Sequence, residues 1–155
     1  MPTIAVTGTR STGHLDLPGL LALFSEYLGP LAGPQVYLGG AAGVDTLALR
    51  WLAEHTVARL VVVVPATLAD QPPEARAGVA EVRAAGRLGE LVEVRHPQWP
   101  HHRAPGYRAR NRWMVDRAEM VAGFPRAGAE EDASGTWYTL RYAADRGLPR
   151  LIIPV

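Results

Sequence analysis

The chain has 155 residues, 48% of them apolar and 20% charged, with a formal net charge of +1 at neutral pH. That length suits one domain spanning residues 1–155 with a core able to stand alone, and no window holds the roughly 18 unbroken apolar residues of a membrane span. The absence of cysteine excludes a disulfide framework and a thiolate metal site, and the near-neutral balance argues against a general nucleic-acid coat, which needs a strongly basic surface.

Short apolar runs alternate with amphipathic stretches, the pattern of a mostly parallel sheet covered by helices on both faces. Thr3–Thr7 is a β-branched run broken by Gly8, hence a first strand; with no basic start or cleavable apolar segment before it, the cytoplasm is the expected compartment. Asp16 and Pro18 are helix-start residues ahead of LLALFSEYL, which stops near Gly29 and Pro30. Gln35–Leu38 reads as a second strand, then Gly39-Gly40 breaks it and a helix runs from Val44 to Glu54. Leu60–Val64 is the most apolar run and is expected as a central, doubly buried strand. A weaker helix spans Glu74–Ala85 and a short strand Leu91–Val94.

His96–Gly106 carries three prolines and no period, a loop long enough to act as a lid. Arg108–Arg117 is helical, Met120–Phe124 a strand, and Arg126–Ser134 a polar loop. Gly135–Asp145 is the last helix and Arg150–Pro154 the last strand.

Three glycine-bearing segments sit where a strand's carboxyl end enters a helix. They are Gly8-Thr9-Arg10, the run from Gly39 and Gly40 through Gly43 to Asp45, and Ser134-Gly135-Thr136. Open α/β sheets bind ligands at this edge, where helix N-termini aim N–H groups and partial positive charge at an anion. Any one segment also has a purely local reading; the three together point to phosphate. All sixteen basic residues are arginine, whose planar fork suits phosphate. Arg110 and Asn111, near a helix start, are candidate ligand contacts. Asp45 would orient the glycine loop or accept from a ribose hydroxyl. Arg112 and Asp116 are spaced to pair on the helix surface, Met114 and Ala118 to face the core, and Trp137 to face it with Leu140 and Ala144. Trp99 would cover a base or pack its loop down. The histidines have no metal-ligand spacing, so no metal and no cofactor is expected.

GTR after the first strand, GGAAGVD after the second, RNRWMVDRAEMVAGFP and SGTWYTLRYAADRGLPRLIIPV together resemble the SLOG superfamily, over nearly the whole chain and in order. That group takes in DNA-processing protein A, the LONELY GUY phosphoribohydrolases and small stand-alone nucleotide-binding proteins. The resemblance implies a Rossmann-like three-layer α/β sandwich, a nucleotide, nucleotide-derived or single-stranded DNA ligand bound without metal, and a homo-oligomer. Arg110, Met114 and Pro125 match the spacing of the LONELY GUY pattern. Its next element, PGG-x-GT-x-x-E, does not follow: RAGAEEDA is inserted before Ser134-Gly135-Thr136, and Thr139 holds the place of the glutamate that serves N-glycosidic cleavage. A threonine cannot supply that carboxylate, so Glu130, Glu131 or Asp132 would have to. The expected function is therefore a nucleotide- or phosphate-binding module or sensor. Phosphoribohydrolysis of a nucleoside monophosphate and single-stranded DNA binding stand as alternatives.

Overall fold

Each short β-branched run becomes a strand, as a computed structural model describing residues 2–128 and 134–155 makes plain. The strands are β1 (Ile4–Gly8), β2 (Gln35–Gly39), β3 (Arg59–Val64), β4 (Leu88–Glu93), β5 (Met120–Phe124) and β6 (Arg150–Ile152). They form one sheet in the order β4-β3-β2-β1-β5-β6, with every neighbouring pair parallel. The helices are α1 (Leu17–Leu23), α2 (Val44–His55), α3 (Pro73–Ala84), α4 (Arg103–Arg117) and α5 (Gly135–Asp145). This is the expected three-layer, Rossmann-like α/β sandwich, with the sheet parallel throughout.

Period-two alternation along the strands splits the core between the two faces. Ile4, Val6, Val36, Leu38, Leu60, Val62 and Val64 pack against α1 and the turn that follows it, α2 and α3 through Leu20, Phe24, Ala48, Leu52 and Val79. Ala5, Tyr37, Val61, Val63 and Val121 pack against α4 and α5 through Met114, Val115, Leu140 and Ala143. The chain winds outward from β1 to β4, then returns to lay β5 on the other side of β1. The strand order therefore reverses between β1 and β5, and a crevice opens at their carboxyl ends, the place where open α/β sheets bind ligands.

Five local expectations need correcting. α4 begins at Arg103, so the end of the supposed His96–Gly106 loop is its first turn; Pro105 is tolerated there because first-turn N–H groups have no helical partner. Leu60–Val64 is doubly buried as expected but lies next to the edge strand, because β4 pairs onto it. β4 itself starts at Leu88, ahead of the expected Leu91, with a register shift opposite Leu60 and Val61. Arg112 and Asp116 turn away from each other toward α5: Arg112 donates to the Tyr138 hydroxyl at 2.7 Å, and Asp116 accepts from Tyr142 at 2.7 Å and pairs with Arg146 at 3.4 Å. α1 starts at its Asp16 cap, which accepts from Gly19, and continues as a π turn over Phe24–Leu28. Ala143, not Ala144, joins Leu140 and Trp137 in the core.

Candidate functional site

A cavity of about 460 Å³ occupies the β1/β5 crevice. β1 and the loop after it supply Thr7, Gly8, Thr9, Arg10 and Ser11; α2 and its approach supply Ala41 and Asp45. α4 supplies Ala104, Tyr107, Arg108, Arg110 and Asn111, and α5 with its cap supplies Ser134, Gly135, Thr136, Tyr138 and Arg141. Four arginines thus face one carboxylate among the described residues.

The N-terminus of α5 forms one wall. Ser134 caps it, its Oγ accepting from the Trp137 N–H at 3.1 Å, which leaves the N–H groups of Gly135 and Thr136 without a helical partner. The opposite wall is held by backbone: the Thr9 N–H donates to the Phe124 carbonyl at 3.0 Å, and the Thr9 carbonyl accepts from Val44 at 3.0 Å. Arg10 leaves this loop with its guanidinium 4.1 Å above the Tyr107 ring. Trp99 meets the same ring edge-on at 5.2 Å and lies under Arg103 at 5.4 Å. Trp99 therefore packs its loop onto the start of α4, against Gly106, and is not among the residues lining the cavity.

The floor holds the buried charges. Arg110 is 3% exposed; its Nε donates to Asn111 Oδ1 at 2.7 Å and its Nη1 to the Val63 carbonyl at 3.2 Å. Asp45, 6% exposed, lies across Gly39 from it: a Cβ on Gly39 would sit 2.6 Å from Arg110 Nη1 and 2.7 Å from Asp45 Oδ2. Despite that proximity the two form no ion pair within 4 Å among the described residues, and Asp45 Oδ1 is buried without a hydrogen-bond partner. Burial raises the Asp45 carboxyl from 3.8 to about 7, against the opposing pull of Arg110, the Ala41 backbone and Arg10. Burial likewise lowers the Arg110 guanidinium from its ordinary value. Desolvation has outweighed the mutual attraction of the pair.

Of the twelve predicted site residues, nine line the cavity: Gly8, Thr9, Arg10, Asp45, Arg110, Asn111, Ser134, Gly135 and Thr136. Gly39, Gly40 and Gly43 stand behind it, where glycine answers to packing. Gly39 makes room for Arg110 and Asp45, and Gly40 for Val64. Gly43 adopts φ +78° against the backbone of Thr9 and Arg10, a conformation that disfavours other residues. Tyr138 and Arg141 were not among the predictions, yet their offsets of four and seven from Ser134 put them on one helical face with the cap. Thr139 is fully buried and donates to the Gly135 carbonyl at 2.9 Å, so the position of the LONELY GUY glutamate lies away from the cavity. Glu130, Glu131 and Asp132 lie outside the described residues. Among the described residues no cluster of three or more His, Asp or Glu is arranged to hold a metal, and no helix is long and apolar enough to cross a membrane.

An all-parallel Rossmann-like domain with an arginine-lined cavity at its strand-order reversal defines the class. Among solved structures the chain is similar to DNA processing protein A from Helicobacter pylori, in a structure described by its single-stranded DNA binding mode, with a TM-score of 0.71 and 20% identity. The match covers 99% of this chain and 65% of that one, so this chain spans about two-thirds of the length of the protein it resembles. At that identity the likeness shows the fold. No family model matches the sequence, and no curated protein matches it.

Proposed function

We propose that the cavity binds the phosphate of a nucleotide or nucleotide-derived ligand, and that the chain is a SLOG-type binding module or sensor. The observation that carries this reading is the convergence, at one crevice, of the α5 N-terminus with Arg10, Arg108 and Arg110. Backbone N–H groups at a helix start and guanidinium forks both favour a phosphate, and Gly135, where an added Cβ would meet nothing closer than Asn111 Nδ2 at 4.0 Å, lets it approach the main chain. Tyr138, which lines the cavity with only the more distant Arg108 guanidinium over its ring at 5.5 Å, offers a ring face for a base.

The test incubates the protein with nucleoside 5′-monophosphates and with their parent nucleosides, following thermal stability and release of free base. Stabilisation by monophosphates alone, lost in Arg110→Gln and without base release, is the expected result. Equal stabilisation by nucleosides, or none by either, contradicts the reading. Free base would move the function to phosphoribohydrolysis and the search for its carboxylate to Asp45 or to Glu130, Glu131 and Asp132.

The likeness to a DNA processing protein favours one further reading, in which the bound phosphate belongs to single-stranded DNA. Arg10 and Arg108 are exposed at the rim of the cavity, where neighbouring phosphates would run. An oligothymidylate would then bind more tightly than a mononucleotide, and its log affinity would fall with log salt by about 0.7 per phosphate neutralised. Equal affinity for oligomer and monomer with a shallow slope returns the ligand to a free nucleotide.

A further inference from the structure

Asp45 is an anomaly in a cavity otherwise furnished for an anion. It faces Arg110 and, beyond it, Tyr107 from α4, and Arg10 from the loop after β1; β2 offers only Gly39, and its own approach the Ala41 backbone. One of its oxygens nonetheless has no partner. An ionised carboxylate there would repel a phosphate in a site too buried for water to screen the two charges. A neutral carboxyl reverses the sign of that contact, because it carries an O–H donor.

We infer that Asp45 binds the ligand as the neutral acid, its carboxyl proton donated to a phosphate oxygen beside Arg110, so that each anion bound holds one proton on the protein. The inference rests on the phosphate reading above and adds to it a proton as co-ligand. Because the free acid titrates at about 7, affinity is constant in mildly acid solution and falls above that point, approaching tenfold per pH unit. A carboxylate accepting from ribose hydroxyls would show the reverse, since it needs the ionised form.

Sulfate is the probe, because its charge does not change between about pH 5.5 and about 8.5 while that of a phosphate monoester does. Titration calorimetry of the whole chain, in two buffers of different ionisation enthalpy, reads affinity and proton uptake together and needs no variant. The expected result is uptake approaching one proton per sulfate above about pH 7 and the matching loss of affinity. Asp45→Asn, which keeps an N–H donor, should bind sulfate with that slope removed. A flat or rising profile in the parent protein overturns the inference, as does a slope surviving in Asp45→Asn, which would assign the proton to a different group. Absence of sulfate binding even at about pH 6 fells the phosphate reading along with it.

Discussion

Arg87 and Arg110 place the same side chain at opposite edges of the sheet. Arg87 lies at the amino-terminal edge, where its guanidinium donates to the carbonyls of Ala53 at 3.1 Å, Thr56 at 2.9 Å and Ala58 at 3.0 Å. It closes the end of α2 and the entry to β3, and the partial negative charge of a helix C-terminus favours it there. Arg110 lies at the carboxyl edge, beside the positive ends of α2 and α5 and near Arg10. Its hydrogen bonds go to the next residue and to one carbonyl. The chain satisfies the first arginine with its own acceptors. It holds the second, at a cost in desolvation, where an incoming anion would complete its bonding.

Substitutions can break that contrast, and the largest effect is expected beneath Arg110. The folded Asp45 carboxyl keeps its proton up to about 7, whereas the unfolded one releases it near 3.8. Its contribution is therefore fully present below 3.8 and lost as pH rises through 7. Asp45→Asn should flatten the stability profile across that interval and leave the variant more stable than the parent above it, by roughly 4 kcal/mol. Denaturant unfolding at a mildly acid and a mildly alkaline pH checks this, and equal pH dependence in both proteins would contradict it.

Arg87→Ala comes next. Stripping three carbonyls of their donor should lower stability by about 2 kcal/mol while leaving sulfate binding unchanged; weakened binding would erase the distinction between the two edges. Ser134→Ala removes the cap of α5 and should cost about 1 kcal/mol, read as a lower midpoint in urea. The smallest effect sharpens the contrast from outside. Arg50 and Glu81 pair at 2.8 Å on the surface, with side chains 33% and 61% exposed, and Arg50→Ala should shift stability by less than about 0.5 kcal/mol.

The fold was legible because alternation along each strand and the breaks at Gly8, Gly39 and Pro65 are local signals. Nine cavity residues could be read for a related reason, since glycine, hydroxyl and arginine gather at strand-to-helix junctions. Less legible was what depends on partners distant in sequence. Nothing near Arg112 announces that Tyr138 will take its hydrogen bond, so helical spacing to Asp116 was the better local guess. Gly39 looked like a phosphate loop, and only the packed structure reveals that two buried side chains occupy the space it leaves. Pro105 masked the first turn of α4, because proline inside a helix and proline at its start look alike until the preceding backbone is known.

The central claim is tested most directly by the backbone amide resonances of Gly8, Gly135 and Thr136 during a sulfate titration. If the β1/β5 crevice is an anion site, those three shift together, saturate, and stay fixed in Arg110→Gln. Shifts spread over the exposed arginines, or none at these amides, would contradict it.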